Sequence, residues 1–227
     1  MNNFSIIFED NHLLVVEKPV NMPVQGDESR DLDLLTALKD FIKERDQKPG
    51  NVYLALVHRL DRPVGGVMVY AKTSKAASRL SDQVRRHAMT KEYLAVIRGF
   101  PEKQQARLED YLYKDKRKNQ VYVTSKDYNE ARKAVLEYTV LGHEKGLSLV
   151  KVNLHTGRPH QIRVQLANIG CPLYGDQKYG AKVNKPGQQI ALWSHQLGLE
   201  HPTLKEGKKF TSTPPNEKPW QSFKDHL

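Results

Sequence analysis

The stretch His58-Arg59-Leu60-Asp61-Arg62-Pro63-Val64-Gly65-Gly66 lies between two apolar runs, Tyr53–Val57 and Val67–Ala71. The runs have the length and β-branched content of buried strands, and the Pro/Gly-broken segment between them reads as a loop presenting side chains at a sheet edge. That loop holds one carboxylate, Asp61, between two guanidiniums, Arg59 and Arg62. Cations so placed favour the charged form of a carboxylate. A surface turn with a local ion pair explains the same residues, since such pairs are common and weak. The rest of the chain decides between the two.

Upstream, residues 5–8 and 13–17 read as short strands joined by the turn-prone Glu9-Asp10-Asn11-His12. Lys18-Pro19-Val20-Asn21-Met22-Pro23 follows as a rigid extended loop, in which Asn21 can adopt a left-handed backbone. Asp31 is placed to cap a helix whose Leu34, Leu35, Leu38, Phe41 and Ile42 share a face and which stops before Lys48-Pro49-Gly50. The string Asp31-Leu32-Asp33 with Thr36 looks superficially like an aspartyl-phosphate nucleophile. That chemistry needs the acids at the end of a buried strand, so capping is the better account.

Downstream, Thr73 or Ser74 caps a helix with Ala76, Ala77, Leu80 and Val84 inward. It closes on Arg85-Arg86-His87, cations that suit the helix dipole and equally a phosphate. Thr90–Gly99 reads as a strand. Across 101–133 the composition turns to Tyr111, Tyr113, Tyr122 and Tyr128 interleaved with Lys114, Lys116, Arg117, Lys118 and Lys126. A solvated hairpin would look like this, and so would a surface where phosphates pair with cations and bases stack on rings. Residues 134–141 and 147–154 are further strands. In His155–Ala167, Pro159 suits a first helical turn and Gly170 an end, with Ile162, Leu166 and Ile169 on a buried face and Arg163 beside it. Residues 190–202 hold the last strands, and 211–227 reads as a Pro-rich, frayed tail.

The 227 residues suffice for a substantial core. Thirty-six Lys and Arg against 26 Asp and Glu give a net charge of +10, which steers polyanions toward the surface, so nucleic acid is the first candidate partner. An anionic membrane is the weaker candidate: no apolar run approaches ~18 residues, no basic amphipathic anchor is evident, and the N-terminus lacks a signal-peptide pattern. A single cysteine, Cys171, excludes an internal disulfide and fits a reducing cytoplasm. His58, His155, His160, His195 and His201 form no HExxH, and one cysteine builds no thiolate site, so no metal is expected.

Three segments together resemble the RluA-type pseudouridine synthases: His58-Arg59-Leu60-Asp61 with Gly66, Lys91-Glu92-Tyr93-Leu94-Ala95-Val96, and Thr156-Gly157-Arg158-Pro159-His160-Gln161-Ile162-Arg163. Lys18-Pro19 is similar to the family's first motif, with Asn21 where a Gly is usual. Val64 and Gly65 stand where the family has Thr and Ser, removing two hydroxyls that could brace the loop. The likeness runs from about Ile6 to Pro215. The resemblance implies an α+β fold, mixed with a largely antiparallel central sheet and flanking helices and loops, as one catalytic domain over 1–227. It leaves no room for the separate small S4-like RNA-binding domain of many relatives.

The implied reaction isomerises specific uridines of ribosomal or transfer RNA to pseudouridine, without cofactor. The glycosidic bond breaks, the uracil turns and rejoins through carbon, and the nucleotide must first be flipped out. By resemblance Asp61 is the essential acid, acting as nucleophile at C1′ or in a glycal route. Arg163 pairs with Asp61, Tyr93 stacks on the base, and Arg59 fills the gap left by the flipped nucleotide or holds its phosphate. Lys114, Lys116, Arg117, Lys118 and Arg158 are the expected RNA contacts, and the expected form is a cytoplasmic monomer. The rival reading is a non-catalytic RNA-binding or RNA-folding protein on the same scaffold, supported by Val64 and Gly65.

Overall fold

The computed structural model describes residues 4–227, so the first three residues of the expected 1–227 domain lie outside the described residues. The chain divides into two compact units, Met1–Thr90 with Ser194–Ser212 and Lys91–Trp193 with Thr213–Leu227. The fold class is α+β with largely antiparallel sheet.

In the first unit β1 (Ser5–Glu9) pairs antiparallel with β2 (Leu13–Lys18), which pairs antiparallel with β4 (Gly65–Ala71). The short β3 (Ala55–Leu56) also pairs with β4, while β10 (Leu192–Glu200), from Ser194 onward, follows β4 and carries β11 (Gly207–Thr211) on its other side. Leu13–Val16 and Val67–Ala71 are fully buried, as in strands covered on both faces. Alternate residues, Leu13, Val15, Val67, Val69 and Ala71, form a core with Ala76 and Leu80 of α2 (Ser74–Arg85) and Leu197 and Leu199 of β10. Each of the Leu and Val side chains contributes about 1.5–3 kcal/mol of burial. Thr73 caps α2 by accepting from Ala76 N at 3.2 Å.

Helix α1 (Leu34–Arg45) starts two residues later than expected: Asp33, not Asp31, accepts from Thr36 N at 3.0 Å. Asp31 instead meets the Arg62 guanidinium, a partner far along the chain that local capping rules cannot see. The run 53–57 forms only the two-residue β3.

In the second unit the sheet order is β5 (Thr90–Arg98), β9 (Leu147–Leu154), β8 (Arg132–Glu144), β6 (Gln105–Asp115) and β7 (Gln120–Thr124), antiparallel throughout. Helix α3 spans Gln161–Asn168. Pro159 lies before it rather than in its first turn, because His160 at the cap position is left-handed with φ 51°. The entry is held by Gln161, whose side-chain oxygen accepts from Thr156 Oγ1 at 2.7 Å and Arg158 N at 3.0 Å. The helix is buried from Gln161 through Leu166, whereas Ile169, expected inside, is 37 % exposed. The tail is not frayed: Trp220–His226 forms 3₁₀ turns with Trp220 and Phe223 buried.

Candidate active site

Asp61 sits half-buried at the mouth of β4, in a turn closed by Val64 N donating to Asp61 O at 3.0 Å. Val64 is buried at 2 % exposure, so apolar packing and a backbone bond brace the loop where hydroxyls were expected. Gly66 has φ +112°, and a Cβ there would lie 2.2 Å from Ser194 O, so only glycine lets β4 approach β10 this closely. His58 Nε2 accepts from Val69 N at 3.0 Å, tying the loop's start to β4.

Arg62 turns its guanidinium away: Nε donates to Asn21 O at 3.1 Å, Nη1 to Ser29 Oγ at 3.0 Å, and Nη2 pairs with Asp31. Asn21 is left-handed at φ 62°. A cation that does act on Asp61 is Lys18, fully buried, with Nζ donating to Pro19 O at 2.8 Å and Arg62 O at 3.0 Å. Burial pushes its amine down to about 7, against the pull of the Asp61 charge and with help from Arg62. Arg59 is exposed in the same loop.

The other expected residues belong to the second unit. Tyr93 is buried on β5 opposite Val152. Arg163 is buried on α3 and bound two-pronged by Asp176, Nε to Oδ2 at 2.8 Å and Nη2 to Oδ1 at 3.0 Å. Its guanidinium also lies over the Tyr179 ring, 5.2 Å from the centroid. Asp176 is fully buried. Burial alone would raise its carboxyl, but the Arg163 hydrogen bonds and charge, with the Tyr179 and Lys178 amides, hold it below the ordinary carboxylate range. Tyr179 Oη in turn accepts from Val121 N at 2.8 Å and is hydrogen-bonded to His160 Nδ1 at 2.7 Å. This planar, doubly anchored arginine is a preorganised cation.

The hairpin of β6 and β7 sorts the basic segment by strand alternation. Leu112 and Lys114 share one face, with Val121 opposite Lys114, while Tyr113 opposes Tyr122 on the other face and meets Tyr128 at 4.8 Å. Lys114 and the tyrosines of this hairpin therefore face opposite ways. A groove of about 190 Å³ is lined by Leu112, Lys114, Lys116, Val121, Glu130, Arg132, Arg158 and Pro159. It gathers Lys114, Lys116 and Arg158. Arg117 and Lys118 are at the hairpin tip, where their backbone amides donate to Asp115 Oδ1 at 2.9 and 3.1 Å.

Sequence reasoning gave no role to Lys18, Asp176 or Tyr179. Lys18 opens a recognised motif, Gly170–Asp176 and Lys178-Tyr179-Gly180 extend the third one, and Asp176 is a lone acid directly after the run Cys171–Gly175, where burial demands a partner; those were the available signals. The histidines are dispersed onto separate partners, His195 Nδ1 to Ser212 O at 2.8 Å and His201 Nε2 to Asp10 at 2.8 Å among them. Among the described residues no three His, Cys, Asp or Glu side chains form a group able to hold a metal ion.

The family model for RNA pseudouridylate synthase matches residues 12–168. An uncharacterised RNA pseudouridine synthase of Aquifex aeolicus is 33 % identical over 217 residues, covering 91 % of this chain and 68 % of that protein. Ribosomal large subunit pseudouridine synthase D of Zymomonas mobilis is 32 % identical over 224 residues, covering 93 % and 69 %. The solved structure titled human RNA pseudouridylate synthase domain containing 4 aligns with a TM-score of 0.78 at 25 % identity, over 93 % of this chain and 88 % of that one. The matched span takes in Lys18, Asp61, Tyr93 and Arg163, and on that coverage the chain belongs to the RNA pseudouridine synthases of the RluA type.

Proposed function

We propose that this enzyme isomerises a flipped-out uridine of ribosomal RNA, with Asp61 as the catalytic acid. The observation that carries the reading is the Asp61 turn: a half-buried carboxylate whose backbone is fixed from behind by the Lys18 amine, the Val64 amide and the glycine seat at Gly66. A carboxylate held still and reachable is what attack at C1′, or assistance to elimination, requires. In this reading Arg163, oriented by Asp176, supports Asp61, Tyr93 faces the base, and Arg59 replaces the flipped nucleotide or holds its phosphate. Lys114, Lys116, Arg117, Lys118 and Arg158 hold phosphates. The ribosomal substrate is supported by relatives named for the large ribosomal subunit. The two units act as one catalytic domain, and the enzyme works as a cytoplasmic monomer without cofactor or metal. No helix among the described residues is long and apolar enough to cross a membrane.

Asp61→Asn tests the assignment, since an amide keeps the shape but neither attacks C1′ nor serves as a base. Tritium release from 5-tritiated uridine in RNA should fall below detection, a loss of several kcal/mol or more in transition-state stabilisation. Filter binding of the same RNA should persist, because phosphate contacts supply most of the affinity. Equal release from both proteins makes the assignment of Asp61 wrong.

A further inference from the structure

The groove in the second unit has a composition that phosphate binding alone does not require. Its floor is apolar, with Leu112 and Val121 buried at 3 % and 2 % exposure, and Pro159 forms one wall. Four cations, Lys114, Lys116, Arg132 and Arg158, line it together with one carboxylate, that of Glu130. The walls are held in place: Arg158 Nε donates to Lys133 O at 2.9 Å, and the Val121 amide is held by Tyr179 Oη. The volume of about 190 Å³ is below the roughly 300 Å³ at which pockets begin to enclose a drug-sized ligand. It suits one planar base on an apolar floor with its phosphate on the rim.

We propose that this groove is a subsite for a single unpaired guanine nucleotide of the RNA substrate, read through its base by Glu130. The inference rests on the RNA-modifying reading and adds a sequence preference to it. The cations select a polyanion and take the flanking phosphates. The carboxylate selects the base, because an ionised acid only accepts hydrogen bonds. Guanine presents two adjacent donors, N1–H and the N2 amino group, which match the two carboxylate oxygens. Uracil sets its single N3–H between two carbonyls, adenine sets an acceptor on each side of its amino group, and cytosine offers one N4 donor with C5–H rather than a second donor beside it. Uracil and adenine thus place a lone pair against one Glu130 oxygen, and cytosine leaves one oxygen without a donor.

The test uses the intact enzyme and four labelled hexanucleotides, r(UUUUUU) and the three with one central uridine changed to G, A or C, titrated by fluorescence anisotropy. The G hexamer should bind at least about fivefold tighter than the all-U one, the low end for one two-pronged base contact. Glu130→Gln should bring all four within about twofold of one another, while Lys114→Ala should weaken all four alike, as loss of a phosphate contact does. Equal binding of the four hexamers by wild type, a G preference that survives Glu130→Gln, or no binding at all overturns the subsite. Tritium release measured on the same preparations separates this from the parent reading: an active enzyme without base preference loses only the subsite. An inactive protein that still prefers G keeps the subsite and loses the catalytic assignment.

Discussion

A lysine that gives up proton affinity on folding makes stability depend on pH. Lys18 has an ordinary value of 10.5 and is lowered to about 7 by burial in the fold. Below pH 7 both folded and unfolded chains carry the proton, and the folded state bears the cost of a buried charge. Between about 7 and 10.5 the unfolded chain holds a proton that the folded one has shed, so stability rises with pH across that window. Lys18→Met has no such group. Wild type should gain on it by up to a few kcal/mol from about pH 7 to about pH 10, at ~1.4 kcal/mol for each tenfold change in proton affinity. Urea unfolding of both proteins across that range checks this, and a constant difference removes Lys18 as the cause. Tyr70 makes a second case: its fully buried hydroxyl has no hydrogen-bond partner among the described residues, and burial pushes its ionisation up. An unpaired buried hydroxyl costs about 1–3 kcal/mol, so Tyr70→Phe should leave thermal stability unchanged or raise it. A fall in melting temperature would point to a water bound at that hydroxyl.

At the scale of elements, α3 carries its arginine into the core, where Asp176 meets it. Breaking a buried pair from one side costs about 3–5 kcal/mol, so Asp176→Asn should destabilise by that order at neutral pH. A carboxyl held below its ordinary 3.8 contributes stability above that value, which is lost as pH falls through the folded pKa. The gap between wild type and Asp176→Asn in chemical denaturation should accordingly narrow below about pH 4. If Arg163 supports catalysis, turnover should drop in this variant more than RNA affinity. The helices and strands around these residues were legible in the sequence wherever periodicity or a local cap decides them. Thr73 capping α2 and the apolar face of Leu34, Leu38 and Ile42 are local facts. What stayed illegible depends on distant partners: Arg62 drawing Asp31 away from a cap, and Trp220 and Phe223 pinning a segment whose prolines suggest a loose end. The site followed the same division. Asp61, Tyr93 and Arg163 stand inside motifs and Asp176 and Tyr179 in an extension of one, but the meeting of Arg163 with Asp176 and Tyr179 is a contact that only folding creates.

For the molecule as a whole, a net charge of +10 makes RNA affinity a function of salt. Neutralising Lys114, Lys116, Arg117 and Lys118 together should weaken binding and flatten the plot of log affinity against log salt by roughly 0.7–0.9 per lost phosphate contact. Filter binding over a salt series measures it, and an unchanged slope takes the hairpin out of the interface. The groove predicts an uneven share, with Lys114 and Lys116 outweighing the two residues at the hairpin tip.

The close seat of Gly66 against Ser194 has a consequence for how the enzyme comes into being. The first unit is discontinuous: its sheet is completed by residues 194–212, after the whole of 91–193 has intervened. A ribosome translating this message therefore makes the Asp61 turn, and the strand β4 that follows it, before β10, one of that strand's neighbours, exists. The backbone wall on which Gly66 rests emerges only after residues 91–193 have been made. Until then the nascent chain carries the Asp61 carboxylate without that wall to set it.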